Sequence, residues 1–355
     1  MEINHLKKQA LDLLQRLIAT PSFSREEAAT ATLVEKFMQE NGVKVRRKHN
    51  NLWVGNQYYS ERKPTVLLNS HHDTVRPNNG WSMNPFQPVI EDGKLFGLGS
   101  NDAGASLVSL LAAFLSLYDR QDMKYNIIFS ATGEEENSGE RGIRSILDDI
   151  GRIDIAVVGE PTGMELAVAE KGLLLIRCKA KGISGHAARD VGRNAILAAL
   201  KDIQWFSTFQ FPLVSELLGP VKMTVTMIEG GIQHNVIPDS CQFTVDIRIT
   251  DRYTSDEILS TIKKNIDAEI ISCSLNLRAS SITIDHELVN CARKLGINTF
   301  GSPTLSDRTF ISAPSVKIGP GKSERSHTPN EFVFLSEIEQ GIETYIRLLD
   351  TFVSS

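Results

Sequence analysis

The feature that most constrains the fold is an alternation of short apolar runs, rich in β-branched residues, with longer stretches of helical periodicity. Candidate strands lie at residues 65–68, 125–130 and 153–158, and helical stretches at 105–118 and 142–149 separate them. This alternation is typical of an α/β sheet with helices on both faces. Ligands of such sheets bind outside the carboxyl ends of the strands. We therefore expect a mixed sheet flanked by helices, with its site at that edge.

Two helices are predicted ahead of the sheet. Apolar residues recur at helical spacing between residues 6 and 19. Ser22 and Ser24, which precede Arg25-Glu26-Glu27, indicate the N-cap region of a second helix that ends near Asn41.

The pattern changes near residue 171. Residues 173–180, 221–228, 241–249 and 272–280 have strand character, whereas residues 194–206 and 256–266 have helical character. The resulting β-α-β-β-α-β order predicts a ferredoxin-like α+β unit at residues 171–281. This unit is inserted into an α/β domain formed by residues 1–170 and 282–355.

Composition excludes several classes of partner. The 355 residues are 41% hydrophobic and 23% charged, and the net charge is −5 without a basic run. Nucleic acid and anionic membranes are therefore not expected as partners, and a small molecule is the expected partner.

Four well-separated cysteines without a CxxC pair predict reduced, mostly buried thiols. No secretory h-region follows Met1, and the longest apolar run, 107–118, is short for a membrane span. These features predict a cytoplasmic protein.

Polar clusters follow three of the predicted strands. In the first, His71 and Asp73 are two residues apart and share one side of an extended chain, while His72 faces away. A carboxylate beside a metal-bound imidazole orients the ring. A structural histidine at a strand end is the alternative interpretation.

Further carboxylates and a second histidine occur in similar contexts. Asp102, flanked by glycines before a long helix, fits either a helix N-cap or a carboxylate that bridges two metal ions. Glu134, Glu135 and Glu136 are consecutive acids after a strand, which implies either a solvated loop or a nearby cation. Glu160 and His327 lie in two more such loops. Together these groups form a mixed nitrogen and oxygen set suited to zinc and compatible with cobalt or manganese.

In order and spacing these motifs resemble the M20 family of metallopeptidases and acylases, over nearly the whole chain. The resemblance implies that His71 binds one zinc ion with Asp73 as its partner, that Asp102 bridges both ions, and that Glu160 and His327 complete the two sites. It also implies Glu135 as the general base and Glu136 as a ligand. A one-residue shift of the alignment would assign these roles to Glu134 and Glu135.

The same resemblance implies a set of substrate contacts. His186 would reach the active site of the partner subunit and polarise the scissile carbonyl, which implies a homodimer formed through the inserted lid domain. Asn235 and Arg248 match positions that hold the substrate carboxylate, and Gly321 matches a substrate-facing loop. Arg308 is a candidate for selecting the acyl or side-chain end. Ser70 and the Ala103-Gly104-Ala105 stretch depart from the family pattern without loss of a ligand.

The implied activity is hydrolysis of an N-acyl amino acid with two zinc ions, for which cobalt or manganese can substitute. Within the family, the motif contexts favour an acetylornithine deacetylase-like enzyme of arginine biosynthesis that removes an acetyl or succinyl group from ornithine. A succinyl-diaminopimelate desuccinylase or a dipeptidase is the enzymatic alternative. A metal-free binding or scaffold protein is the alternative from another class.

Overall fold

The computed structural model describes residues 2–189 and 191–354, without the side chains of residues 274–276. The chain forms two compact units. Unit 1 comprises Met1–Val168, Ile282–Phe300 and Ser306–Ser355, and unit 2 comprises Ala169–Ser281 and Gly301–Leu305.

The regular elements follow the predicted alternation. The helices are α1 Ile3–Ile18, α2 Ala28–Glu40, α3 Ala105–Leu117, α4 Leu147–Ile150, α5 Ala195–Thr208, α6 Ser255–Asn265, α7 Glu287–Lys294 and α8 Leu335–Ser354. The first eight strands are β1 Arg46–Lys48, β2 Asn51–Gly55, β3 Thr65–His71, β4 Val89–Glu91, β5 Lys94–Phe96, β6 Asn126–Thr132, β7 Ile155–Gly159 and β8 Leu166–Glu170. The others are β9 Gly172–Lys181, β10 Gly185–His186, β11 Lys222–Gly230, β12 Val236–Ile237, β13 Ser240–Ile249, β14 Glu269–Leu277, β15 Ser280–Ser281, β16 Thr299–Ser302, β17 Ser315–Ile318 and β18 Phe332–Phe334.

The main sheet of unit 1 is mixed, as predicted. Its strand order is β1-β2-β6-β3-β7-β17-β8. The four central strands β6, β3, β7 and β17 are parallel, whereas β2 and β8 join them antiparallel. The carboxyl ends of the four parallel strands consequently meet at one edge of the sheet.

Apolar packing covers both faces of this sheet. On β3, Val66 and Leu68 lie in the core that includes α1, α3 and α8, whereas Leu67 packs with Ile146 and Ile150 on the other face. Every residue of β3 is buried. Parallel strands buried on both faces give continuous apolar runs without polar alternation, which explains the pattern that the sequence shows.

The apolar stretch Ser100–Leu117 satisfies the length and composition of a membrane span, but 89% of it is buried within the protein. It contains α3, which packs against α1 and α8. We therefore describe it as a core helix.

Unit 2 has the predicted order of elements. Its antiparallel sheet has the order β11-β13-β9-β14, and α5 and α6 connect the strands as in a ferredoxin-like unit. Thr254 begins α6 with a capping box, in which its hydroxyl accepts from the Glu257 N–H and the Glu257 carboxylate accepts from the Thr254 N–H. A small two-stranded antiparallel sheet of β10 and β12 adds to this unit.

Two local predictions are wrong. The N-cap of α2 is Glu27 and not Ser22 or Ser24, because the Ser24 hydroxyl donates to the buried Asp73 carboxylate at 2.7 Å. The helix predicted at 142–149 is a 3-10 turn, Ile143–Ser145, followed by the single turn of α4. At Ser24 a tertiary contact therefore prevails over local propensity.

Candidate metal centre and active site

The candidate site lies in unit 1, at the carboxyl edge of the parallel strands. β3 ends at His71, β6 ends three residues before Glu135, and β7 ends one residue before Glu160. Strand ends at this edge of an α/β sheet face the same crevice. The sheet therefore brings together side chains that are far apart in the sequence.

His71 is held as a metal ligand requires. Its Nδ1 lies 2.9 Å from the Asp73 carbonyl oxygen and 3.5 Å from Asp73 Oδ1. Because a carbonyl oxygen only accepts, Nδ1 carries a proton, and Nε2 is the nitrogen that can bind a cation once it has lost its own proton. Burial would lower the pKa of this imidazole, but its hydrogen bonds to Asp102 and Asp73 raise the pKa well above the usual range. That Nε2 lies 3.4 Å from Asp102 Oδ1 and 3.8 Å from Glu160 Oε1.

His72 points away from this cluster, as predicted. Its Nδ1 lies 3.0 Å from the Thr30 hydroxyl and its Nε2 lies 2.9 Å from the Asn50 carbonyl oxygen. Burial lowers the pKa of this imidazole. Both nitrogens are occupied by protein groups, so His72 serves the structure.

Asp73 connects the His71 strand to the acidic loop. Its carboxylate accepts the backbone N–H of Glu135 at 3.1 Å and that of Glu136 at 3.3 Å, in addition to the Ser24 hydroxyl. Burial alone would raise its pKa, but these bonds and His71 lower it. Asp73 is consequently ionised, and its carboxylate binds both Ser24 and the loop of Glu135 and Glu136.

Asp102 lies between two imidazoles. It belongs to the irregular turn Ser100–Gly104, where its φ and ψ of −116° and 100° are not helical and its peptide bond to Ala103 is cis. Oδ1 faces His71 Nε2, and Oδ2 lies 3.6 Å from His327 Nε2. The Asp102 side chain makes no capping bond to this turn or to α3, so the N-cap interpretation is wrong.

The three consecutive acids separate into different surroundings. Glu136 Oε2 lies 2.9 Å from His327 Nε2. Ligand atoms within 4.8 Å of one another form two groups, one of His71, Asp102 and Glu136 and the other of His71, Glu135 and Glu160. Glu134 is in neither group: it has a φ of 56°, and its Oε2 accepts the Arg141 N–H at 3.3 Å.

The donor set fits a metal centre electrostatically. Burial raises the pKa of Glu160 to about 8 and that of Glu135 well above its usual range. The hydrogen bond to Glu136 raises the pKa of His327 to about 9. Buried carboxylates this close repel one another, and a bound cation offsets that repulsion. Two imidazoles with several carboxylates match zinc, cobalt or manganese.

The remaining predicted residues in unit 1 are Gly321 and Arg308. Gly321 has a φ of 84°, and a Cβ there would lie 2.3 Å from Asn101 Oδ1. Arg308 is 0% exposed. Its guanidinium donates to the carbonyl oxygens of Ala167 and Ser315. Arg308 was predicted to contact the substrate, but its guanidinium instead links the backbone at Ala167 to the backbone at Ser315.

The other three predicted substrate residues belong to unit 2. His186 on β10 is exposed and pairs with Val236 of β12. Asn235 directly precedes β12, and its carbonyl oxygen accepts the Ala187 N–H at 3.0 Å. Arg248 on β13 forms an ion pair with Asp246 at 2.8 Å. The two-stranded sheet thus brings His186 and Asn235 together, while Arg248 lies on the larger sheet of this unit.

Two buried acids near the site were not assigned a role from the sequence. Glu331 accepts three backbone N–H groups of the Asp102 turn. Asp307 accepts from Asn69 Nδ2 at 2.8 Å and from the Thr132 hydroxyl at 2.9 Å, and burial raises its pKa to about 6. Polar residues at the ends of otherwise apolar strands, such as Asn69 and Thr132, are the sequence signal that points to such a buried partner.

The fold and the site define a class of metal-dependent hydrolase with an α/β core. The sequence profile of Peptidase family M20/M25/M40 matches residues 67–351. The chain belongs to this family and is a metal-dependent peptidase or deacylase.

Two curated relatives align along nearly their whole length. Acetylornithine deacetylase of Proteus mirabilis (strain HI4320) is 27% identical over 377 residues, which cover 96% of this chain and 96% of that protein. Succinyl-diaminopimelate desuccinylase 2 of Ruegeria sp. (strain TM1040) is 25% identical over 379 residues, covering 97% and 95%.

Solved structures show the same fold. The M20 family metallo-carboxypeptidase Sso-CP2 of Sulfolobus solfataricus superposes with a TM-score of 0.78 at 16% identity, covering 97% of this chain and 99% of that one. The YXEP protein of Bacillus subtilis, described as a dinuclear metal binding peptidase, has a TM-score of 0.71 at 14% identity and covers 99% of both chains.

Proposed function

We propose that this chain is a two-metal deacylase that removes an acetyl or succinyl group from the α-nitrogen of ornithine, a step of arginine biosynthesis. The observation that carries the hydrolytic part is the position of Asp102 between His71 and His327, with Glu136 and Glu160 on either side. The similarity to a protein named acetylornithine deacetylase supports the substrate.

His71, Asp102 and Glu160 would hold one ion, and Asp102, Glu136 and His327 the other. Zinc is proposed at both positions, and cobalt or manganese can replace it. Two bound ions would lower the pKa of a shared water and polarise the amide carbonyl.

Glu135 is proposed as the general base. Its carboxyl lies beside the ligand cluster, whereas Glu134 is turned to the Arg141 N–H, which supports the alignment that makes Glu135 the base and Glu136 the ligand. Glu135 would accept the proton of the attacking water and deliver it to the leaving amine. Asp73 would keep the loop of Glu135 and Glu136 in place, because it accepts the backbone N–H groups of both residues.

His186, Asn235, Arg248 and Gly321 are proposed to contact the substrate. Nδ1 of His186 accepts the Ala188 N–H at 3.1 Å. The proton of the neutral ring is therefore on Nε2, which suits donation to a carbonyl oxygen. Asn235 Oδ1 is buried without a hydrogen-bond partner among the described residues, which supports a role for this side chain in binding.

A homodimer through unit 2 is also proposed, with His186 acting across it. β11 is the outermost strand of its sheet, and its Met227 and Ile228 are 62% and 54% exposed. On α5, which packs against β11, Leu197 and Leu200 are 65% and 48% exposed. An unpaired edge beside exposed apolar side chains is typical of a surface that another chain covers.

The test is a substrate panel with the metal-loaded and the chelator-treated protein. We expect hydrolysis of N²-acetyl-ornithine or N²-succinyl-ornithine, lost with the chelator and restored by zinc or cobalt. Faster turnover of succinyl-diaminopimelate would favour the desuccinylase alternative, which the Ruegeria relative supports. Faster turnover of dipeptides would favour a dipeptidase. Absence of bound metal with no rescue by either ion would support the metal-free scaffold.

A further inference from the structure

The turn that presents Asp102 is held by a side chain outside the proposed ligand set. Glu331 is 2% exposed. Its Oε1 accepts the backbone N–H groups of Asn101 at 2.8 Å and of Asp102 at 2.9 Å, and its Oε2 accepts that of Gly99 at 3.1 Å. One carboxylate therefore binds three N–H groups that surround the Asp102 position.

These N–H groups need such an acceptor because the turn departs from helical geometry. Gly99 has a φ of 76°, and Asp102 has φ and ψ of −116° and 100°. A buried N–H without a partner is costly, so three of them would disfavour this conformation strongly. By binding all three, Glu331 stabilises the backbone that directs Asp102 between the imidazoles.

Glu331 also belongs to the loop that carries His327. The carbonyl oxygen of His327 accepts from Asn78 Nδ2 at 3.2 Å. Asn330 Oδ1 accepts the N–H groups of Ser82 at 3.1 Å and Met83 at 3.2 Å. These bonds fix the loop on which Glu331 and His327 lie four residues apart. Through Glu331, the Asp102 turn is consequently hydrogen-bonded to the loop that carries His327.

We propose that Glu331 is a positioning residue that sets the placement of Asp102 relative to His71 and His327, and thereby the metal affinity of the centre. This inference rests on the proposed metal centre. Glu331 acts through the backbone of the Asp102 turn and does not touch the substrate.

The informative substitution is Glu331→Gln. It preserves the side-chain volume but replaces one carboxylate oxygen with an amide NH₂ group, which cannot accept an N–H. At least one N–H of the turn then loses its acceptor. Partners that orient metal ligands typically change metal affinity by about 10–100-fold when they are mutated, and we expect an effect in this range.

A matched control separates positioning from general stability. Asp202 in unit 2 is also a buried carboxylate, 1% exposed, and accepts the backbone N–H groups of Asp267 at 3.1 Å and Ala268 at 2.8 Å. Asp202→Asn should lower the melting temperature without changing metal binding.

The experiment is a titration of the metal-free full chain with Co²⁺, which reports the affinity and, through visible absorption, the ligand geometry. Weaker Co²⁺ binding by about 10–100-fold and an altered spectrum in Glu331→Gln, with wild-type values in Asp202→Asn, are expected. Wild-type affinity and spectrum in a folded Glu331→Gln, or an equal loss in Asp202→Asn, would overturn the proposal.

Glu331→Asp keeps the charge but shortens the side chain by one methylene. If Glu331→Gln does not fold, the Asp variant is judged by the same criteria. Failure of the wild-type protein itself to bind Co²⁺ would refute the metal centre, whereas equal binding by wild type and variants would refute only the role of Glu331.

Discussion

At the scale of single residues, chemically identical side chains differ because of the groups beside them. His71 and His72 are adjacent in sequence, yet one faces carboxylates and the other is satisfied by Thr30 and a backbone carbonyl. Glu134 and Glu135 differ in the same way. The role of a residue at this site therefore depends on which neighbours occupy its polar atoms.

Glu135→Gln is expected to lower kcat by about 10²–10⁴-fold, the usual contribution of a general base, while metal content stays at the wild-type level. Steady-state kinetics and metal analysis of the purified variant measure both. Glu134→Gln is the matched control and should keep most activity, because Glu134 lies outside both ligand groups. Equal loss in the two variants would instead favour the alignment shifted by one residue.

Metal binding is expected to release protons at pH 7. In the metal-free chain the pKa of His327 is raised to about 9 and that of Glu160 to about 8, so both groups hold a proton at neutral pH. Both must lose it to bind a cation, and the affinity should rise as the pH increases toward about 9. Calorimetric titration in buffers of different ionisation enthalpy measures the release. A heat that is independent of the buffer would contradict this expectation.

At the scale of elements, the site depends on packing beneath it. Leu110 of α3 is 0% exposed, and a Cβ added at Gly159, the end of β7, would lie 2.6 Å from Leu110 Cδ1. Gly159, the last residue of β7, consequently packs against Leu110 of α3. A rigid helix below the strand ends keeps the carboxylates at fixed positions.

Leu110→Ala should destabilise the protein by about 2–5 kcal/mol, because a buried leucine leaves a cavity. Thermal or denaturant unfolding measures this cost. Leu213→Ala is the control, since Leu213 is 46% exposed and its truncation should have little effect. If Leu110→Ala lowered the free energy of unfolding as little as Leu213→Ala is expected to, α3 would not be tightly packed at Leu110.

At the scale of the whole molecule, the proposed dimer makes activity depend on association. Met227→Lys places a charge at the exposed edge of β11, which should oppose pairing with a second copy. We expect a monomer by light scattering and a reduced kcat if His186 acts across the interface. Ile90→Lys, at a 47% exposed position in unit 1, should remain dimeric and active. A fully active monomeric Met227→Lys would exclude action of His186 from the partner subunit.

Several properties could be predicted from the sequence: the alternation of strands and helices, the inserted ferredoxin-like order, and the side of β3 on which His71 lies. These properties follow from local periodicity, because a strand repeats every two residues and a helix every 3.6. The family was also accessible from the order of its short motifs.

Which polar atoms lie within hydrogen-bond distance of one another could not be predicted from the sequence. Arg308, predicted at the substrate, is buried against backbone carbonyls, and Ser24, predicted as a helix cap, binds Asp73. Glu331 is more than 200 residues from Asp102 in the sequence, yet accepts its N–H group. Such contacts join distant segments through the sheet edge, and no local periodicity encodes them. The buried polar atoms take whichever partners the folded chain brings within hydrogen-bond distance, since leaving them unpaired is costly.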